Sequence, residues 1–194
     1  MAKILGNFHY ALLIGILLLI GAMVGLTQTG MDKAYWVEFL RFLHVWAGVL
    51  WIGLLYYFNF VQIPTMPKVP AELKPGVTKY IAPAALFWFR YAALLTVILG
   101  LLIMELRQGG DTARALGLQE AYRTIGIGMW LGLIMAANVW FIIWPNQKKA
   151  LGIVTVDDAS KAKAAGLAMM ASRTNLILSF PMLYCMIMGA HRPM

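Results

Sequence analysis

The chain has 194 residues, of which 61% are hydrophobic and only 12% are charged, and its formal net charge at pH 7 is +8. This composition excludes an ordinary water-soluble globular protein and indicates an integral membrane protein. The positive charge does not indicate nucleic-acid binding, because the basic residues are scattered over the polar segments between apolar runs and no soluble domain collects them.

Five apolar segments are each about as long as the roughly 20 residues that cross the hydrocarbon of a bilayer. In chain order they are 7–27, 36–62, 80–104, 124–145 and 174–190. The first is interpreted as a retained helix rather than a secretory signal, because its apolar run is long and no small-x-small cleavage site follows it. We therefore predict an all-α bundle of five transmembrane helices that forms a single membrane domain over residues 1–194.

The basic residues between these segments predict the orientation of the bundle. One side would hold Lys3, Lys68, Lys74, Lys79, Lys148, Lys149, Lys161, Lys163 and Arg173, and the other Lys33, Arg41, Arg107, Arg114, Arg123 and Arg192. Since Lys and Arg are enriched on the cytoplasmic side of membrane proteins, we expect the N-terminus inside and the C-terminus outside.

Two inner segments connect the predicted spans. The segment 63–79 contains four prolines and is expected to be extended rather than helical. Further along, Asp157 and Asp158 are expected to cap a helix that lies on the cytoplasmic surface or lengthens the fifth span.

One face of the second span carries all of its strongly polar residues except Glu38. The positions on this face follow helical spacings of three and four and are Arg41, His44, Gly48, Trp51, Leu55, Asn59 and Gln62. Exposing polar side chains to lipid costs free energy, so this face should point into the bundle. There Gly48 would allow close approach of a helix or a flat cofactor. Gly128 and Gly132 form a small-xxx-small pair in the fourth span and are expected to serve helix packing.

Arg90 lies about midway through the third span, and no acidic residue lies at its depth within any span. Its partners must then be backbone carbonyls, amide side chains, a bound anion or an acid on another subunit. We consider a ligand pocket, open to the inner side, in which Arg90 and the amides of Asn59, Asn138 and Asn175 hold a planar anion. Structural pairing of Arg90 is the alternative.

Several blocks of residues resemble one known family. They are Arg41-Phe42-Leu43-His44-Val45, Trp51-Ile52-Gly53, Tyr57-Phe58-Asn59, Phe87-Trp88-Phe89-Arg90, Asn138-Val139-Trp140, Trp144-Pro145-Asn146-Gln147, Ser172-Arg173-Thr174-Asn175 and Pro181-Met182. From about Trp36 onward the chain resembles the N-terminal membrane domain of bacterial cytochrome-linked urate oxidases, also called urate hydroxylases. The resemblance implies a multi-pass protein of the bacterial inner membrane that takes part in passing electrons from urate to the respiratory chain.

Family members with the full architecture carry a periplasmic c-type cytochrome domain, and we expect this chain to lack it, because the sequence contains no Cys-x-x-Cys-His motif. Its single cysteine, Cys185, also excludes an intrachain disulfide and covalent attachment of a c-type haem. The resemblance therefore implies a separate c-type cytochrome, or a larger membrane complex, as the electron partner.

A b-type haem is the cofactor considered for such a redox subunit. It needs one or two neutral imidazoles at similar depth, with cationic groups near its propionates. On the predicted topology His44 and His191 share the outer side, and Arg41 and Gly48 lie beside His44. Alternatives for His44 are a hydrogen bond to a neighbouring helix, proton transfer and quinone contact.

The predicted function is a membrane redox subunit, an oxidoreductase of the urate oxidase type if it is an enzyme. Two other functions stay open. One is a non-catalytic membrane scaffold or accessory subunit, and the other is a small anion transporter centred on Arg90.

Overall fold

The computed structural model describes residues 2–26, 30–107 and 110–191, and these form seven helices. They are α1 (Ala2–Leu5), α2 (Phe8–Leu26), α3 (Lys33–Lys68), α4 (Lys74–Leu106), α5 (Thr112–Leu116), α6 (Glu120–Ala150) and α7 (Asp158–His191). The all-α prediction is confirmed. Residues 1–39 and 40–194 form two compact units, so α3 begins in the first and continues through the second.

Four helices are long and apolar enough to cross a membrane, namely α2, α3, α4 and α6. They correspond to the first four predicted spans. The fifth predicted span, 174–190, is the second half of α7, which is not among these four helices and has Lys161 and Lys163 in its first half. The fifth crossing, the orientation and the single membrane domain stay predictions.

The expectation of an extended segment over 63–79 is wrong. Helix α3 continues to Lys68 and α4 begins at Lys74, so only residues 69–73 are not helical. Pro64 is accommodated because a π-helical segment, Tyr57–Gln62, precedes it. The wider π turn changes the local hydrogen-bonding register at the position where a proline ring would otherwise clash with the preceding turn.

The same arrangement recurs in two other helices of the described chain. The π-helical segment Val77–Ile81 of α4 is followed by Pro83, and Val139–Ile143 of α6 is followed by Pro145. In each of the three cases proline is the second residue after the π-helical segment. These prolines therefore sit at π bulges within continuous helices and do not end them.

Asp157 caps α7, as predicted, and α7 runs without interruption into the fifth predicted span, so the cap lengthens that helix. The Asp157 carboxylate accepts a hydrogen bond from the Ser160 backbone N–H at 2.9 Å. Hydrogen bonds from the side chain and backbone of Ser160 hold the pKa of Asp157 below its ordinary value. The carboxylate stabilises the first turn by satisfying a helix N–H that has no partner within the helix.

The core of the second unit is built from large side chains of α3, α4 and α6. Trp51, Leu55, Phe89, Met135 and Val139 are at most 1% exposed. Many apolar side chains on the outer faces of the same helices are exposed. This distribution suits a protein whose outer surface meets lipid rather than water.

Glycines allow α6 and α7 to approach closely. A Cβ on Gly128 would lie 3.1 Å from Cys185 Cβ, and one on Gly189 would lie 2.8 Å from the backbone of Ile125. The predicted packing role of Gly128 is confirmed, whereas a Cβ on Gly132 would meet only the flexible end of Met186, at 3.9 Å.

Candidate functional site

The polar face of α3 points into the bundle, as its spacing predicts. Trp51 and Leu55 are 1% and 0% exposed, and the neighbouring positions on this face, His44 and Asn59, bond to other helices. The N-terminal part of this face of α3 therefore contacts α4, and the C-terminal part contacts α7. Arg41 lies one turn before His44 and is half-buried.

His44 is anchored on α4. Its ring Nδ1 lies 2.8 Å from the backbone oxygen of Thr96, and because a carbonyl oxygen can only accept, Nδ1 carries the hydrogen. The Thr96 hydroxyl is occupied separately, by donating to Ala92 O at 2.7 Å. In the neutral imidazole this leaves the lone pair on Nε2 of His44 available to another partner.

Gly100 makes room for the His44 ring. A Cβ at Gly100 would lie 3.0 Å from Cε1 and 3.2 Å from Nδ1 of that ring, closer than most real Cβ contacts. Gly48 is less tightly packed, because its Cβ would meet only the Thr96 methyl group, at 3.8 Å. The position of the His44 ring is thus determined by the Thr96 carbonyl and by the absence of a side chain at Gly100.

His191 is the last described residue of α7, and its side chain lies outside the described part of the structure. The predicted pairing of His44 with His191 therefore stays a prediction.

Three asparagines meet around α7. Asn138 Nδ2 donates to Asn175 Oδ1 at 2.7 Å and to Ala171 O at 2.9 Å, and Asn175 Nδ2 donates to Met135 O at 3.0 Å. These bonds tie α6 to α7 through side chains that are almost fully buried, with Asn175 at 0% and Asn138 at 9% exposure.

Asn59 joins the same helix from α3. Its Nδ2 donates to Ser172 Oγ at 2.9 Å and to Leu55 O at 2.9 Å. One turn before Asn59 on α3, Tyr56 Oη lies 3.1 Å from Ser179 Oγ. Helix α7 therefore presents a polar face to both α3 and α6. The three asparagines form the hydrogen bonds that join these two helices to α7.

Arg90 has a different set of neighbours. Its guanidinium lies 3.5 Å from the centre of the Trp144 ring and donates to Leu86 O at 3.1 Å, and the residue is only 8% exposed. Stacking a cation on an indole ring at this distance is a favourable cation–π contact. Among the described residues no hydrogen bond joins Arg90 to the three asparagines, so the four predicted pocket residues separate into an asparagine network and a stacked arginine.

Several of these partners were not predicted as site residues, namely Tyr56, Thr96, Trp144, Ser172 and Ser179. A signal for two of them is present in the sequence, because Ser172, Asn175 and Ser179 follow helical spacing and so form one polar face of α7. The Thr96 contact has no such signal, since His44 bonds to its backbone.

Residues 112–194 match the family model described as urate oxidase N-terminal. The match covers α5, α6 and α7, somewhat less than half of the chain, and it confirms the resemblance for that region. No curated protein and no solved structure shows significant similarity to the chain.

Proposed function

We propose that this chain is a redox subunit of the bacterial inner membrane, in which His44 would hold a b-type haem that supplies electron transfer to a separate c-type cytochrome. The observation that carries the proposal is the hydrogen bond from His44 Nδ1 to Thr96 O at 2.8 Å. Histidines that bind metals commonly donate their other ring N–H to a carbonyl in this way, which fixes the tautomer and the ring orientation.

The residues around His44 fit a histidine that would hold such a cofactor. Nε2 is the nitrogen left to bind iron, Gly100 gives the ring its space, and Arg41 supplies a cation one turn away for propionate groups. His191 is the proposed second ligand. When bound, the haem would supply one-electron transfer, while the Thr96 carbonyl orients the His44 ring.

The proposed orientation suits this partner. With the N-terminus inside, His44 lies in the outer half of α3, on the side where a periplasmic cytochrome docks. The family match over residues 112–194 supports a role related to urate oxidation, and urate is the proposed electron source for the complex.

The test is a reduced-minus-oxidised visible spectrum of the purified chain, followed by pyridine haemochrome analysis. We expect b-type bands in the wild type and in His9→Ala, loss of the bands in His44→Ala, and shifted bands in Gly100→Ala. Gly100→Ala is informative because its new methyl group would push on the His44 ring. A featureless spectrum from folded wild-type protein would rule out the proposal.

A non-catalytic scaffold or accessory subunit is the second candidate. It is favoured by the asparagine network, whose amides bond to one another and to helix carbonyls as a purely structural network would. If the chain is such a scaffold, we expect His44→Ala to lower the stability of the bundle, and we expect no haem bands in either the wild type or the variant.

An anion transporter centred on Arg90 is the third candidate. It is favoured by the burial of Arg90 without a carboxylate partner among the described residues. Uptake of urate into liposomes that contain the chain tests it, and we expect loss of uptake in Arg90→Leu if this candidate is correct.

A further inference from the structure

Two cations lie against the same tryptophan ring where α4 meets α6. The guanidinium of Arg90 is 3.5 Å from the centre of the Trp144 ring, and the ammonium of Lys148, one turn further along α6, is 5.6 Å from the same centre. Such contacts are favourable, but an aromatic ring carries no net charge and leaves both cations uncompensated. In the part of the chain that the structure describes, no carboxylate pairs with either of them.

The two cations differ in how far a ligand can reach them. Arg90 is 8% exposed and donates to Leu86 O at 3.1 Å, one turn towards the N-terminus of α4. Lys148 is half-buried. Its Nζ atom has no hydrogen-bond partner among the described residues and yet is not a buried atom, so a ligand can contact it.

The end of the bundle beside Lys148 has an excess of positive charge. Helices α3 and α6 end there, and α4 and α7 begin there. The acidic residues of this end are Glu72, Asp157 and Asp158, and they are outnumbered by the lysines, which are Lys68, Lys74, Lys79, Lys148, Lys149, Lys161 and Lys163. Such a surface attracts anions, most strongly where two cations are already close together.

An aromatic surface adjoins the two cations. The Tyr91 ring centre lies 5.7 Å from the Arg90 guanidinium, and it lies 5.8 Å from the Trp140 ring centre and 4.7 Å from that of Phe87. Phe87 and Tyr91 are each 46% exposed. Exposed rings on the side of a membrane-spanning helix contact the acyl chains of lipids. An anion that fits here therefore has an apolar tail.

We propose that an anionic phospholipid of the surrounding bilayer binds beside Trp144. Its phosphate group contacts the Lys148 ammonium and is attracted by the charge of Arg90, while an acyl chain lies along Tyr91 and Phe87. The proposal does not depend on a bound haem. It also differs from the anion-transporter candidate, because the lipid is a resident ligand and is not carried across the membrane.

The test is a lipid titration of the purified full chain, delipidated in a neutral detergent and followed by native mass spectrometry. Dioleoylphosphatidylglycerol is the anionic probe, dioleoylphosphatidylcholine has the same chains and phosphate but no net charge, and inorganic phosphate is an anion without chains. We expect one phosphatidylglycerol to bind the wild type at least about fivefold more tightly than phosphatidylcholine. We expect inorganic phosphate not to displace it.

Two variants at neighbouring positions connect binding to this site. Lys148→Gln removes the charge that contacts the phosphate, and we expect it to weaken binding of phosphatidylglycerol about fivefold, the effect of one lysine on an anionic lipid. Lys149→Gln makes the same exchange at the next residue of α6, which is exposed, and should bind almost as the wild type does. Both variants keep the stack of Arg90 on Trp144, so loss of that stack cannot explain a difference in binding.

The proposal is overturned if phosphatidylcholine binds as tightly as phosphatidylglycerol, or if Lys148→Gln and Lys149→Gln have equal effects, as a general basic surface would give. It is also overturned if inorganic phosphate displaces the lipid, which would indicate a site for a free anion. The haem spectrum reports separately on His44, so failure here is distinguishable from failure of the proposed redox function.

Discussion

Replacing Asn175 by leucine should loosen the contact between α6 and α7. Asn175 is 0% exposed and makes two interhelical hydrogen bonds, to Asn138 at 2.7 Å and to Met135 O at 3.0 Å. Leucine has a similar volume but can make neither bond. The substitution therefore tests the polar contribution of this position with little change in packing.

The magnitude follows from the number of bonds. Hydrogen bonds between membrane helices contribute about 0.6 kcal/mol on average and about 1.7 kcal/mol at most. Loss of two such bonds predicts a decrease of about 1–2 kcal/mol in the free energy of unfolding. Asn138 keeps its bond to Ala171 O in the variant, while the N–H that it donated to Asn175 loses its acceptor.

The measurement is an unfolding titration with SDS in mixed micelles, followed by circular dichroism. Asn146→Leu is the matched control, because within the described part of the chain the Asn146 side chain has one hydrogen bond, to Ile142 O of its own helix at 2.8 Å, and none to another helix. A double-mutant cycle with Asn138→Ala and Asn175→Ala isolates their shared bond. If Asn175→Leu is no more destabilising than the control, the asparagine network does not hold the helices together and the reasoning is refuted.

Three further predictions use the same titration or thermal unfolding. Gly189→Ala should be clearly destabilising, because its methyl group would lie 2.8 Å from the backbone of α6, whereas Gly132→Ala should be nearly neutral; equal effects would contradict the packing account. Trp144→Leu should cost about 0.5–2 kcal/mol through loss of the Arg90 stack, and Trp144→Phe should cost less. Because the folded-state pKa of Asp157 is lowered, its carboxylate stabilises the fold above the unfolded-state value and loses this effect as the pH falls through the folded-state value. The difference in melting temperature between wild type and Asp157→Asn should therefore be present at pH 7 and decrease progressively as the pH falls below about 4; a constant difference would argue against the ionised cap.

Some of this architecture could be predicted because it depends on local patterns. Apolar length is sufficient to locate the four candidate spans, and helical spacing is sufficient to orient the face of α3 that carries His44 and Asn59. The Asp157 cap also follows from sequence, since a carboxylate before a helix has a defined partner three residues later.

Other features depend on the relative rotation and register of helices that are distant in sequence. The stacking of Arg90 on Trp144 and the bond from His44 to a backbone oxygen arise only once α3, α4 and α6 are placed side by side. The sequence predicts that α3 ends before Pro64, because proline normally breaks a helix, whereas the preceding π bulge accommodates Pro64 within α3.

The polar face of α7 has a consequence for the order in which the protein assembles. During synthesis, α3 and α6 leave the ribosome before α7, so the amide of Asn59 lacks Ser172, and that of Asn138 lacks Asn175, until the last helix arrives. Placing a helix with an unsatisfied carboxamide in lipid costs free energy. We therefore expect the translocon or an insertase to retain α3 and α6 until α7 docks, and chains truncated before Asp158 to be degraded rather than released into the bilayer.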